Sequence, residues 1–198
     1  MPDEPSGRRD RDAAIDAAFR THAPDIYRLL YAIVRDRGAA EELTQETFMR
    51  AYDRYERFDE SRPIAGWLHG IATHLALDRL RWWRVRRLLG VRELRERDLS
   101  AGLSPDHAGA VADREAVAAL LDELQPRSRA ILVLRYAYGY DDRAIAELLG
   151  TTPGAVRTQA WRAHERLRAS VANQSASDHG DFPPRPLEAP GRLRDGRD

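Results

Sequence analysis

The stretch from Asp141 to Leu167 constrains the fold most, because its capping and turn residues predict two helices joined by a tight turn. Asp141 or Asp142 can cap the first helix by accepting a backbone N–H. Gly150 can adopt the left-handed conformation that ends a helix, and Pro153 suits the first position of the next one. With Thr151 or Thr152 as the second cap, the spacing predicts a helix-turn-helix.

The second of these helices has two contrasting faces. Its apolar side chains recur at i, i+4, i+7 and i+11 and predict one inward stripe, made of Val156, Ala160, Ala163 and Leu167. Two guanidiniums, a hydroxyl and an indole point the other way, on Arg157, Thr158, Trp161 and Arg162. Arg reads guanine, Thr reaches phosphate or base, and an indole packs on a sugar or a thymine methyl. A plain helical hairpin would share the caps and the stripe, but an exposed indole without a partner is costly. The pattern favours a DNA reader.

A second basic segment lies upstream, where residues 78–92 read DRLRWWRVRRLLGVR. Arg contacts phosphates, and aromatic faces stack on unpaired bases. At about 100° of rotation per residue, Trp82 can face outward while Trp83 faces inward, or the reverse. A solvated helix end anchored by two indoles is the plainer interpretation, but the density of Arg favours nucleic acid. Two such surfaces are not expected of a simple operator-binding repressor.

The bulk composition does not itself point to nucleic acid, since the formal net charge of the 198 residues is +0. The chain has no Lys, so all 32 basic residues are Arg, a bias that we attribute mainly to genome composition. The absence of Cys excludes disulfides and thiolate metal sites. The polar start does not fit a signal peptide, and no apolar run approaches the roughly 18 residues of a membrane helix. We expect a soluble, cytoplasmic protein.

The apolar periodicity is helical throughout, with no sustained alternation, so we predict an all-α fold without a sheet. Pro24 is expected to break the first helix. Blocks of about 60–75 residues are near the lower limit for an independent core. We predict two small helical domains and a flexible linker, with a disordered N-terminus at 1–12, domains at 13–87 and 114–171, the linker at 88–113 and a disordered tail at 172–198.

An acidic helix is predicted at residues 39–55, and by itself it is an ordinary amphipathic helix with a solvated acidic face. Three blocks nevertheless occur in order: EELTQETFMRAY, then RFDESRPIAGWLHGIATHLALDRLR, then LLDELQPRSRAILVLRYAYGYDDRAIAELLGTTPGAVRT. Their order and spacing resemble the sigma-70 family of bacterial transcription initiation factors, specifically its extracytoplasmic-function group, which keeps only regions 2 and 4. The resemblance covers about Ala18–Leu89 and Arg114–Ser170.

The resemblance implies a non-enzymatic subunit without catalytic residues, metal or cofactor. It would bind core RNA polymerase and promoter DNA and leave room for an anti-sigma factor, with no membrane insertion. Region 2 would correspond to 13–87 and region 4 to 114–171. The acidic helix of region 2 would dock on the clamp helices of the polymerase, through Glu42, Leu43, Gln45, Glu46, Phe48 and Tyr52.

The resemblance also assigns DNA contacts to both regions. In region 2, the loop Phe58–Ile64 would capture a flipped base of the minus-ten element and the next helix would touch the same DNA. The implied minus-ten residues are Arg62, Trp67, His74, Asp78, Arg79, Arg81 and Trp82. In region 4, the helix-turn-helix would read the minus-35 element through Thr152, Arg157, Thr158, Trp161 and Arg162.

Several positions depart from the family pattern. His74 stands where the family usually has Asn, Ala144 where it has Glu, and Gln159 where it has Arg. The Leu-Pro turn of region 4 becomes Leu124-Gln125-Pro126. These departures predict divergent promoter specificity.

Two other classes of protein compete with this interpretation. An autonomous helix-turn-helix regulator would need a dimer and a palindromic site, and it would leave the acidic helix without a purpose. An enzyme such as a nuclease or hydrolase has little support, because the six His are scattered and no phosphate-cradling Gly loop appears. His69 and His74 are five residues apart and share no helical face, so a metal pair is not expected.

Overall fold

The computed structural model describes residues 4–89 and 117–178, with side chains over 10–89 and 117–172. Within these ranges every regular element is helical, so the all-α prediction is confirmed. Most of the predicted linker at 88–113 and the part of the predicted tail beyond Asp178 lie outside the described residues. The first helix begins at Glu4, whereas the sequence placed the start of order at residue 13.

The N-terminal half is a bundle of α1 (Glu4–Val34), α2 (Arg37–Arg54) and α3 (Ile64–Leu88), with a 3-10 turn at Tyr55–Arg57. Each helix packs on the other two. Large aliphatic side chains fill the centre, and each fully buried one contributes about 1.5–3 kcal/mol by leaving water. The fully enclosed ones are Ile26, Leu29, Leu30, Ile33, Leu43 and Leu68.

Pro24 does not break the first helix, and the predicted interruption is wrong. It lies inside the continuous helix α1. A proline in a helix removes one N–H donor and crowds the carbonyl four residues earlier. On either side of it Ala18 and Ile26 are buried, and α1 packs against both α2 and α3. This burial on both flanks outweighs the local cost.

The C-terminal half contains α4 (117–122), α5 (Pro126–Tyr136), α6 (Asp142–Leu149) and α7 (Pro153–Asp178). The predicted caps and turn of the helix-turn-helix are confirmed. Asp141 caps α6 by accepting from the Ala144 N–H at 2.7 Å. Gly150 is left-handed, with φ 58° and ψ 48°. Thr152 Oγ1 accepts from the Ala155 N–H at 3.2 Å, and α7 begins at the next residue.

The two halves pack against each other, which the sequence did not reveal. Helix α5 lies against α1, and α6 lies against α3. At the first contact the buried guanidinium of Arg129 donates from Nη1 to the Ile33 carbonyl at 2.9 Å and from Nε to the Leu121 carbonyl at 2.8 Å. One side chain thereby binds carbonyls at the ends of two helices, one in each half.

Candidate nucleic-acid and polymerase interfaces

Helix α7 presents a polar outer face. Val156, Ala160 and Ala163 of the predicted inward stripe are buried. The opposite face is exposed, and Trp161 retains 63% of its accessible surface. This face carries Arg157, Thr158, Trp161 and Arg162. Each is within a few residues of the next, so the four form one surface about one and a half turns long.

Two other polar residues of the helix-turn-helix lie off this outer face. The hydroxyl of Thr152, predicted to touch DNA, accepts the capping hydrogen bond of α7, and its own O–H can still donate. Gln159, where the family has Arg, lies half-buried behind the outer face, and its Oε1 has no hydrogen-bond partner in the described part of the chain. Burying an unpartnered amide oxygen costs free energy. The departure at 159 therefore places a neutral side chain with an unpaired Oε1 within α7, where the family has a charged one.

The loop between α2 and α3 is shaped by its own side chains. Asp59 accepts from the Ser61 hydroxyl at 2.6 Å and from the Ser61 N–H at 3.1 Å. These two hydrogen bonds from Ser61 lower the pKa of the exposed Asp59 carboxyl. Phe58 leaves the loop to stack on Trp67 of α3, with ring centroids 4.8 Å apart and planes 29° from parallel. A polar turn thus holds an aromatic pair at the start of α3.

This aromatic pair borders a cleft of about 700 Å³ between the two halves. The cleft is mainly apolar, and Arg residues from the end of α2 and from the loop stand around it. Its walls include Phe58, Trp67, His74, Tyr140, Glu147 and Leu148. Residues of α3 and α6 therefore face each other across the position where the sequence predicts a captured base.

His74 lines the cleft, and its two ring nitrogens have different hydrogen-bonding roles. Its Nδ1 lies 2.9 Å from the Gly70 carbonyl, which can only accept, so Nδ1 carries the proton. In the neutral ring Nε2 is then an acceptor. An Asn amide would offer both a donor and an acceptor. The departure at 74 therefore replaces an amide that both donates and accepts with a neutral ring that has only an acceptor left.

The far end of α3 carries the basic and aromatic side chains. Trp82 is 46% exposed, whereas Trp83 packs against the core, so the prediction of one outward indole is confirmed. The Arg86 guanidinium lies over the Trp82 ring at 4.4 Å. Two Arg predicted to contact DNA are paired with carboxylates in the protein alone: Arg81 donates to Asp78 at 3.2 Å, and Arg79 to Glu42 on α2 at 2.9 Å.

Helix α2 separates the predicted polymerase contacts into buried and exposed groups. Leu43 is 1% exposed and Phe48 is 5% exposed, because both face the core of the bundle. They cannot offer a surface to a partner in this arrangement, and we correct their role to packing. Tyr52 is half-buried, and its hydroxyl accepts from Arg11 Nη2 at 3.1 Å. Glu46 is also half-buried and holds Arg50 at 2.6 Å.

The sequence reasoning missed Met49, which is 67% exposed on this helix. It follows Gln45 by four residues and Glu42 by seven, so all three lie on one face. Gln45 and Glu42 are exposed as well. A helical projection of α2 groups the three residues, so this signal is present in the sequence. We call this group, Glu42, Gln45 and Met49, the α2 outer face.

Residues 4–89 and 117–178 contain no group of three His, Cys, Asp or Glu side chains placed to hold a metal ion. None of the helices in those ranges is long and apolar enough to span a membrane.

The chain matches two family models, one for sigma-70 region 2 over residues 18–84 and one for sigma-70 region 4 over residues 114–167. It is 33% identical over 186 residues to the ECF RNA polymerase sigma factor SigE of Mycolicibacterium smegmatis, covering 88% of this chain and 71% of that one. It is 34% identical over 163 residues to the RNA polymerase sigma factor CarQ of Myxococcus xanthus, covering 81% and 92%.

A similar fold occurs in the solved complex of the sigma factor RpoE with the anti-sigma factor NepR from Bartonella quintana. The TM-score is 0.65 at 20% sequence identity, and the match covers 79% of this chain and 96% of that one. The similarity extends over helices of both halves.

Proposed function

Because the chain belongs to the sigma-70 family, as an extracytoplasmic-function sigma factor that directs promoter recognition by RNA polymerase, we propose a division of labour among its surfaces. The α2 outer face binds core polymerase. The loop Phe58–Ile64 and α3 read and hold open the minus-ten element, and the outer face of α7 reads the minus-35 element. The observation that carries this proposal is the exposed Trp161 between two exposed Arg on the second helix of a helix-turn-helix.

Capture of a minus-ten base follows from the aromatic pair beside the cleft. Extruding a base from the duplex costs a few kcal/mol. Stacking of the base on an aromatic side chain returns about 1–3 kcal/mol. The Phe58–Trp67 pair supplies that surface, and His74 Nε2 supplies an acceptor for a base N–H. Arg79 and Arg81 would exchange their carboxylates for phosphates on the same strand. The acceptor at 74 suits a minus-ten preference that differs from that of relatives with Asn.

The presence of both regions in order disfavours the autonomous repressor. We also propose that the chain acts in the cytoplasm, where the polymerase is, and that it has no enzymatic activity of its own. The Bartonella relative was solved with an anti-sigma factor, which supports the proposal that a protein of that class also binds this chain.

Replacing Arg157 with Ala is expected to lower run-off transcription from promoters with an intact minus-35 element by about 5- to 150-fold. A bidentate Arg–guanine contact discriminates by about 1–3 kcal/mol. Promoters with a scrambled minus-35 element should show little further loss. The assay uses core polymerase and genomic promoters with mapped start sites. Arg20→Ala is the control, since Arg20 is an exposed Arg on α1 paired with Asp16. Equal dependence of wild type and Arg157→Ala on the minus-35 sequence would contradict the assignment.

Replacing Glu42 or Gln45 with Ala is expected to weaken capture of core polymerase by several-fold and to leave the fold intact. Both side chains are exposed, so substitution should change folding stability by less than about 0.5 kcal/mol. Capture is measured by pull-down on the immobilised sigma factor, with circular dichroism as the check on folding. Asp16→Ala is the matched control for Glu42→Ala, because each acid is exposed and pairs with one Arg. Full capture by both variants would refute this surface.

A further inference from the structure

We propose that the unbound protein is held closed by a buried polar latch between its two halves, and that this latch opens before the chain engages a promoter. The latch consists of Asp25 and His69 from the N-terminal half and Tyr138 and Tyr140 from the C-terminal half. The requirement for opening rests on the proposed function. The existence of the closed state does not.

His69 is at the centre of the latch and is 5% exposed. Its Nε2 lies 2.9 Å from Asp25 Oδ2, and its Nδ1 lies 2.7 Å from the Tyr140 hydroxyl. Burial lowers the pKa of His69 by more than the Asp25 carboxylate raises it, so the ring is neutral near pH 7. A neutral ring donates from one nitrogen and accepts at the other. Nε2–H therefore donates to Asp25, Nδ1 accepts from Tyr140, and both nitrogens are satisfied.

Tyr138 completes the latch. Its hydroxyl donates to the Asp25 backbone carbonyl at 3.1 Å, and burial raises its pKa, so the group stays protonated as a donor. The rings of Tyr138 and Tyr140 meet His69 edge-on, with centroids 4.7 Å and 5.7 Å away. If the halves separated, the Tyr138 and Tyr140 hydroxyls would lose their acceptors in the N-terminal half, the Asp25 backbone carbonyl and His69 Nδ1. This makes the contact specific to one arrangement of the two halves.

The closed arrangement brings the DNA-reading parts of both halves together. Leu148 of α6 lies so near α3 that a Cβ on Gly70 would be 3.2 Å from its Cδ2. Glu147 of α6 holds Arg62 of the minus-ten loop at 3.8 Å, which places a carboxylate beside the cleft that we assign to promoter DNA. In this closed state, α6 of the helix-turn-helix covers part of the cleft that we assign to the minus-ten element.

The distance between the two promoter elements requires the two halves of the protein to move apart. The centres of the minus-ten and minus-35 elements, as their names state, are about 25 base pairs apart, or about 85 Å of B-form DNA at roughly 3.4 Å per base pair. Two halves in side-chain contact cannot reach both elements. The segment 90–116 can extend to roughly 90 Å at most, by covalent geometry. It is therefore long enough to let the halves separate while they remain connected.

The latch is tested by measuring the distance between the halves. The chain has no Cys, so Ala17→Cys on α1 and Ala169→Cys on α7, both exposed, give two selective sites for spin labels. Double electron–electron resonance should give one short distance for the protein alone. A longer distance should appear when core polymerase and a promoter duplex are added.

The double variant Tyr138→Phe/Tyr140→Phe keeps the ring shapes and removes two hydrogen bonds between the halves. The ratio of open to closed molecules should rise by roughly 10- to 100-fold without polymerase or DNA, because two buried acceptors lose their partners. Tyr136→Phe is the matched control. It also removes a tyrosine hydroxyl, one that lies 2.9 Å from His164 Nε2, but both residues belong to the C-terminal half. This control should leave the distance unchanged.

Gly70→Leu gives a second route to the open state, since its side chain would wedge α3 and α6 apart. Retention of the short distance in both this variant and the double tyrosine variant would overturn the latch. A short distance that persists on the promoter complex would overturn the need for opening. The measurements on the protein alone involve no polymerase, so they remain valid if the transcription assays fail. Thermal unfolding of each labelled variant verifies that the two halves are folded.

Discussion

Trp67→Ala is expected to reduce the fraction of opened promoter by about 5- to 150-fold while leaving initial binding of duplex DNA largely intact. The indole stacks on Phe58 at the edge of the cleft, and a stacked base is worth about 1–3 kcal/mol. Without the indole, the extruded base can stack only on Phe58, and Phe58 itself no longer stacks on α3. The measurement is the fluorescence of 2-aminopurine placed in the minus-ten element, which increases when the base leaves the stack.

Trp161→Ala is the matched variant, because it removes an indole from the other reader. Its indole is 63% exposed and packs on no base-capturing cleft. This variant should weaken binding to duplexes carrying the minus-35 element, with normal fluorescence once the complex has formed. If Trp67→Ala and Trp161→Ala gave the same ratio of binding to opening, the division of labour between the two regions would be wrong.

Leu43→Ala is expected to destabilise the N-terminal bundle by about 2–5 kcal/mol, the usual cost of emptying a fully packed aliphatic site. Leu43 is 1% exposed and belongs to the core formed by α1, α2 and α3. A loss of this size is a large fraction of the stability of a small domain. Thermal or urea unfolding, followed by circular dichroism, measures it directly.

Met49→Ala provides the opposite case on the same helix. Its side chain is 67% exposed, so truncation should change the unfolding free energy by less than about 0.5 kcal/mol. Capture of core polymerase should nevertheless fall. If Leu43→Ala unfolded like wild type and lost only polymerase binding, the family-based assignment of Leu43 as a contact would be restored.

The helix-turn-helix could be predicted almost to the residue, because its determinants are local. A carboxylate that caps a helix, a glycine with positive φ and a proline at a first turn act within four residues of themselves. The roles of Leu43 and Phe48 could not be assigned in the same way. A family motif gives a position on a helix, but only the packing of α1 and α3 against α2 decides which side of that helix meets a partner.

The hydrogen-bond partners of His69 could not be predicted from the sequence. In the sequence it is one of six scattered histidines with no partner in reach. Its two hydrogen-bond partners are 44 and 71 residues away along the chain. No periodicity carries information over such separations, because contacts of this kind arise from the relative placement of whole helices.

The sequence by itself therefore determined the helical class, the two regions, the reader helix and the family, all of which depend on short-range spacing and motif order. The tertiary structure alone decided which side of α2 is exposed, that Pro24 lies within a continuous helix, and that the two readers pack together around His69. The physical reason is the same in each case. Capping and periodicity are properties of neighbouring residues, whereas burial is settled by the packing of distant segments.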